Sequence, residues 1–303
     1  MVGGVDNMDR VVITNINGES IALGNQAPYY LEIIDGVGNI PVTAHSQKAP
    51  KQDGSTYIDN TLESRAISIE GMIITRNNPS ELLECRRKME RVLNPKLGEV
   101  SISYYHKEDV IREIKGIPEN TPIFPNGNGN KGIYHQKYLI NLVCHHPFWK
   151  DKESTKEEAA IWRGEFQFPL EILMDTGIEM GIREPSLIVN IYNPGDLSCG
   201  MEIKFKALAT VVNPMLYNVN TREYIKINKA LVSGEILTVT THFSNKRIES
   251  YKDGVTTNAF NWIDLDSTFL QLQPRDNLLR YDADEGLDNL EIDIYYNPEY
   301  LGV

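Results

Sequence analysis

The sequence predicts a mainly β protein of two domains, the first holding one α-helix and the second a β-sandwich or jelly roll. Three observations predict it. Apolar residues recur at every second position through much of the chain, as at Ile67, Ile69, Gly71 and Ile73, the period of a half-buried strand. One stretch from Pro79 to Asn94 instead places Leu82, Cys85, Met89 and Val92 at three- and four-residue steps, the stripe of an amphipathic helix. From Lys150 to Ala160, seven of eleven residues are charged; such a segment cannot bury itself and marks a boundary. The domains are therefore placed at residues 1–150 and 166–303, joined by a charged linker over 151–165.

In chain order, Val11 to Thr14 and Ser20 to Leu23 flank Asn17-Gly18, which predicts a tight hairpin turn. A further strand runs from Tyr29 to Ile34 and ends at Asp35-Gly36. Residues 43–60 show no apolar period and read as a long polar loop, a length that is usually functional or mobile. After the strand through Ile67, the helix starts with Asn78 as N-cap and Pro79 at its first position. Glu81 and Glu84 precede Arg86, Arg87, Lys88 and Arg91, the order that complements the helix dipole, and Asn94-Pro95 stops it. Strands follow over 100–106, 109–115 and 133–144, the last read as a central buried strand. Pro125 to Asn130 is too rich in glycine and asparagine for a regular element and reads as a flexible tip. Past the linker, strands are expected at 166–172, 185–192, 201–212, 224–227, 235–241, 269–272 and 290–296, separated by turn signals and by no helical period.

At 303 residues each domain is large enough to bury its own core. Hydrophobic residues at 41% and charged residues at 24% are ordinary for a globular chain. A net charge of −12 argues against a nucleic-acid binder, which needs a basic face. The start lacks the charged and apolar regions of a signal peptide, and no run approaches the ~18 apolar residues of a membrane span. Cys85, Cys144 and Cys199 form no CxxC pair and read as free thiols in a reducing compartment, so the chain is expected to be made in the cytoplasm.

Candidate chemistry is thin. His145 and His146 are adjacent, so on a strand they point to opposite faces and do not converge on one metal. Asp282-Ala283-Asp284-Glu285-Gly286-Leu287-Asp288 has the look of a calcium loop. Its glycine, however, stands fifth rather than sixth, and strands rather than helices flank it; a solvated acidic turn is the expectation and a calcium site there stays open. No GxSxG, P-loop or HExxH occurs. With 42 acidic residues no carboxylate pair is informative. The residues thus name no catalytic, cofactor-binding or metal site, and the chain is read as a non-enzyme without a cofactor. Phe148, Trp149, Trp162, Phe166 and Phe168 straddle the linker and are expected to pack at the junction, since buried area dominates an aromatic's role.

Several short features, in order, resemble the distal tail protein (Dit) family of long-tailed bacteriophages. In the first half they are Asp53-Gly54-Ser55-Thr56-Tyr57, Arg65 to Gly71, the helix ending at Asn94-Pro95, and Pro147-Phe148-Trp149. In the second they are Asn193-Pro194-Gly195-Asp196, Ser233-Gly234-Glu235, Phe269 to Pro274 with Asn277, and Ile294 to Pro298. Arg275-Asp276 stands where the family pattern has a glycine turn. The resemblance implies a belt-like N-terminal domain that closes a ring, expected to be hexameric, and a galectin-like β-sandwich projecting from it. It further implies a structural component of the tail tip in a phage or prophage-derived particle. Its expected partners are further copies of itself, the tail tube protein, the tail-associated hub protein and receptor-binding proteins, with DNA only passing through the lumen and no membrane insertion. The alternative is a carbohydrate-binding protein that reads host wall glycans through its second domain.

Overall fold

The computed structural model describes residues 10–75, 79–106, 110–159, 162–163, 182–183 and 187–303. The chain divides into two units, Met1–Lys152 with Glu299–Val303, and Glu153–Pro298. In the first unit the strands are β1 (Arg10–Thr14), β2 (Ser20–Leu23), β3 (Tyr29–Asp35), β4 (Val42–Gln47), β5 (Thr56–Leu62) and β6 (Arg65–Ile74). The helix α1 (Pro79–Val92) follows, then β7 (Val100–His106), β8 (Val110–Pro118), β9 (His135–Cys144) and β10 (Trp149–Asp151).

Seven of these strands are hydrogen-bonded in the order β2-β1-β7-β8-β9-β6-β3. The two ends of that order meet, because the Leu31 N–H donates to the Gly24 carbonyl at 2.7 Å in a parallel bridge between Gly24 and Tyr30. The sheet therefore closes on itself and leaves few free edges. Along β6, Arg65, Ile67, Ile69, Gly71 and Ile73 all face inward. Gly71 is required: a Cβ there would stand 2.1 Å from the Tyr30 carbonyl and 2.4 Å from the Tyr138 hydroxyl. That hydroxyl donates to the same carbonyl at 2.9 Å. The helix buries the expected Leu82, Cys85, Met89 and Val92 stripe against β2 and β6, and the Tyr29 hydroxyl donates to the Cys85 carbonyl at 3.0 Å. Asn94 ends it as expected, its side chain accepting from the Lys96 N–H. The expected N-cap Asn78 lies outside the described residues.

Three local expectations are corrected. The first hairpin is not a two-residue turn: Asn15 pairs with Glu19, Gly18 donates to the Asn15 carbonyl, and Gly18 sits at φ +79°, a three-residue loop with a left-handed glycine. Residues 43–60 are not a loop but a hairpin, β4 paired with β5 across a bulge at His45/Ser46. Its turn is held by Ala49 and Gln52, each donating its backbone N–H to the other's side-chain or main-chain oxygen. The Pro125 to Asn130 tip is tied down, because the buried Gln136 amide donates to the carbonyls of Pro125 (2.8 Å) and Asn130 (3.3 Å).

The second unit contains β11 (Thr155–Glu158), β12 (Trp162–Arg163), β13 (Ile182–Arg183), β14 (Ile188–Asn193), β15 (Met201–Ala207), β16 (Val211–Val212) and β17 (Met215–Asn218). It continues with β18 (Tyr224–Lys226), β19 (Ala230–Leu231), β20 (Ile236–Thr240), β21 (Arg247–Lys252), β22 (Val255–Asn258), β23 (Arg275–Asp282) and β24 (Leu290–Tyr296). A six-stranded sheet β11-β24-β15-β20-β21-β22 and a four-stranded sheet β14-β23-β17-β18 share one core. In that core Ile203, Phe205, Leu237 and Ile292 of the first sheet meet Ile191, Leu216, Leu279 and Tyr281 of the second. This is the expected sandwich.

Residues 269–272, expected as a strand, do not form one, and β17, β19, β21, β22 and β23 lie where no strand is expected. Leu272 instead makes one bridge to Cys199, while Leu270 and Leu272 still point into the core. The expected strand at 166–172 lies outside the described residues. Arg275 adopts φ +77°, the conformation the family's glycine would take. Asn277 holds that turn, donating to the carbonyls of Gln273 and Arg275 and accepting from the Gln273 N–H at 2.8 Å.

The charged linker is also corrected. Lys156 and Glu158 alternate outward along β11, which pairs with β24, so the charges sit on one exposed side of an edge strand. The final strand, β25 (Glu299–Tyr300), was placed with the second domain, yet it pairs with β10 in the first unit.

Two measurements test this packing. Met89→Asp puts an unpaired carboxylate at a fully buried position and should destabilise the first unit by ~3 kcal/mol or more; an unchanged melting temperature would show an exposed stripe. Asp293 is buried, which disfavours its charge, but hydrogen bonds from Lys206 (2.5 Å) and Lys156 (3.3 Å) prevail and hold its carboxyl below the usual range. A depressed carboxylate stabilises the fold above its unfolded pKa, and the contribution is lost as pH falls through the folded value. Asp293→Asn should therefore cost ~1 kcal/mol at pH 7, the lysines being part-exposed. Denaturant titrations should show that gap closing below pH ~4.

Candidate assembly surfaces

The β4–β5 ribbon pairs only within itself among the described residues, and nearly all of its residues are exposed. It carries Val42, Tyr57 and Ile58 at 54%, 60% and 59% exposure. Two strands with an apolar side and no layer beneath them are marginal alone, so this ribbon has the character of an arm that is completed by a partner. The signal missed in the sequence was Thr56-Tyr57-Ile58 after a Gly54 turn, a short β-forming run.

The second unit presents two different outer faces. On the six-stranded sheet, Glu202, Lys204 and Lys206 point out while Ile203, Phe205 and Ala207 point in, as the alternation predicts. Lys204 pairs with Glu202 at 3.0 Å and lies over the Tyr295 ring at 4.6 Å. The four-stranded sheet is unlike it. Asn190, Leu278 and Val219 lie in one row across its strands, with Ile188 and Tyr192 flanking Asn190. Four of these five are exposed apolar or aromatic residues, and the exposed Arg280 and Asp276 stand opposite Ile188 and Tyr192, a mixed face with an apolar row at its centre.

The candidate chemical residues are dispersed. The His145 ring meets the Ser64 hydroxyl at 3.4 Å, while His146 faces Glu299 at 3.5 Å and the Phe148 ring edge at 5.1 Å. Burial and the Lys150 ammonium hold His146 below the ordinary imidazole range, against the pull of Glu299. In the acidic turn, Asp284 accepts from Lys226 at 2.9 Å and from Asn213 at 2.7 Å; Asp282 meets Arg280 at 3.3 Å. A lysine thus occupies the side of Asp284 that a cation would need. Among the described residues no group of three His, Cys, Asp or Glu side chains converges to hold a metal. All three cysteines are buried, and none is in a disulfide. Of the junction aromatics, Trp149 is wholly buried in the first unit, donating to the Val37 carbonyl at 3.0 Å. The side chains of Trp162, Phe166 and Phe168 lie outside the described residues.

The most constrained group is Arg65, on the core side of β6. Its guanidinium is fully buried, and among the described residues its hydrogen-bond partners are all backbone carbonyls. Nε donates to the Pro147 carbonyl at 2.8 Å, one terminal nitrogen to those of Gly36 and Val37 at 2.7 Å each, and the other to that of Leu301 at 2.5 Å. Burial lowers its pKa from the usual guanidinium value. The pattern Arg65, Ile67, Ile69 at one parity was the readable signal: a cation in register with core residues.

Comparison with known proteins agrees with this architecture. Residues 16–144 match the family model of the phage tail protein RIFT-related domain, and residues 194–300 match that of the siphovirus-type tail component, C-terminal domain. No curated protein sequence matches. Among solved structures, the Dit protein of phage SPP1, described as a paradigm of the hub adsorption apparatus in Gram-positive infecting phages, superposes with a TM-score of 0.67. It does so at 11% identity over 95% of this chain and 98% of that one. A chain of the phage p2 baseplate, in its activated conformation with Ca, gives 0.55 at 11% identity over 98% and 99%. Both units are thus matched in order by the two halves of one kind of tail component, and the chain belongs to the siphophage distal tail (Dit) family, structural proteins of the phage tail tip and baseplate.

Proposed function

We propose that copies of this chain close into a ring of six at the end of the tail tube, through the first unit, with the β4–β5 ribbon of each copy packing on the next. The observation that carries this is the ribbon: exposed on both faces, with Val42, Tyr57 and Ile58 uncovered. A repeated head-to-tail contact is how one chain closes around an axis. The ring would stack between the tube protein and the hub protein and let DNA pass. The net charge of −12 supports that role, since a negative wall repels phosphate. The function needs no catalysis, and the paired, dispersed carboxylates and histidines fit a chain that does none. The virion tail tip is its place of action, after synthesis in the host cytoplasm.

The second unit serves as the docking platform for other tail proteins, including receptor-binding ones, through the apolar row of its four-stranded sheet. A glycan reading has one surface in its favour, the stacked Phe260 and Phe269 rings with centroids 5.9 Å apart and Lys246 above Phe269 at 5.0 Å. The outer face of the four-stranded sheet offers Ile188, Tyr192, Val219 and Leu278, and its Asn190, Asp276, Arg280 and Asp282 are taken up in pairs with one another, which leaves fewer polar groups to orient a sugar.

Light scattering and negative-stain imaging of the purified chain should show six-membered rings. Replacing residues 44–60 by a short turn should leave folded monomers; rings formed without the ribbon would refute this contact. Leu278→Asp with Tyr192→Asp should abolish co-purification with co-expressed tail proteins while a glycan array stays blank. Saturable wall-glycan binding, lost on Phe260→Ala, would favour the sugar reading instead.

A further inference from the structure

We propose that residues 299–303 are a clip that completes the first unit, so that this unit reaches its native state only after the whole second unit has been synthesised. The first unit is discontinuous: its two pieces, 1–152 and 299–303, are separated by the 146 residues of Glu153–Pro298.

Three sets of contacts make the clip part of the fold. Backbone pairing comes first. β10 lies between β8 and β25, with Lys150 opposite Glu113 on one side and Glu299 on the other. Without β25, β10 becomes an edge. Side chains form the second set. Glu299 is buried and meets Lys150 at 3.0 Å and His146 at 3.5 Å. Tyr300 donates its hydroxyl to Asp151 at 3.1 Å, and Arg112 lies 3.2 Å above its ring while bonding the same carboxylate at 2.6 Å. The third is Arg65. Its shell of four carbonyls joins the end of β3 (Gly36, Val37), the exit from β9 (Pro147) and the clip (Leu301). Removing the clip strips one of the four carbonyl acceptors from a buried cation, and a buried charge short of partners is expensive.

The contacts that hold Arg65 are also the contacts that join pieces of chain far apart in sequence. Residues 36–37, 65 and 147 precede the second unit, and Leu301 follows it. A nascent chain that has exposed only its first 152 residues can form the strands but cannot finish this shell. If the ring reading above holds, assembly through the first unit then waits for the second unit, and partial chains are kept out of rings.

The test compares the full chain with one carrying a stop after Pro298, by hydrogen exchange with mass spectrometry. Loss of the clip should speed exchange at least tenfold in 110–118 and 147–151, while 201–207 and 290–296 keep their protection. Full-length Tyr300→Ala serves where the shortened chain is insoluble, and should speed exchange in the same first-unit segments. Unchanged first-unit protection in both variants overturns the proposal, as does uniform loss across both units. The readout does not depend on rings: a full chain that stays monomeric yet opens on loss of the clip sinks the ring reading and leaves the clip standing.

Discussion

The first unit depends on how one buried cation is satisfied. Arg65 sits at the core side of β6 with no acidic partner among the described residues, and its charge is balanced by carbonyl dipoles from three separate stretches of backbone. A carboxylate partner would have made a local pair, complete in itself. Carbonyls cannot do that, because each arrives only when its own segment is in place. The arginine therefore converts a charge requirement into a requirement on chain geometry. Trp149 reinforces it, stacking near the guanidinium and donating to the Val37 carbonyl that Arg65 also uses.

The regular elements were legible where burial is one-sided. In β6, α1 and β15, one face meets a core and the other meets water, so the period of the apolar residues equals the period of the backbone. Legibility failed where that condition fails. The β4–β5 ribbon is exposed on both faces, so its sequence carries no period and reads as loop. β11 is an edge strand whose outward residues are Lys156 and Glu158, and its charges masked the strand. β22 shows no period for the same reason, since Val255 to Asn258 are all exposed, whereas β21 buries only Ile248 and the polar Ser250, too few apolar positions to show a period. The return of Glu299 and Tyr300 to the first unit has no local signal at all, because pairing across the whole of the 146-residue second unit is a property of the whole fold.

Adjacent His145 and His146 were expected to diverge, and they face Ser64 and Glu299 respectively. The acidic run at 282–288 looked more like a ligand set, but Lys226 and Asn213 take up Asp284 and Arg280 takes up Asp282. Nothing in the linear run indicates that a lysine from β18 will arrive there. The surfaces that bear on assembly were the harder part. Exposed apolar residues on a sheet face are visible only when neighbouring strands are known, as when Leu278, Asn190 and Val219 fall in one row.

The two units divide the demands of a tail component in physically different ways. In the first, the closed sheet and the Arg65 shell leave few strand edges, and the β4–β5 ribbon is the main feature left uncovered. Such a unit favours one fixed contact repeated without variation, which closure around an axis requires. In the second, two sheets share a core, and their outer faces differ, with lysine–carboxylate pairs on one and, on the other, an apolar row flanked by Asp276 and the Arg280–Asp282 pair. Outer residues of a sandwich can change without disturbing the core between the sheets. The second unit lies in the chain between residues 152 and 299 of the first. Because the insertion is anchored by chain on both sides, new surface chemistry can evolve on it while the closed sheet and its buried arginine stay as they are.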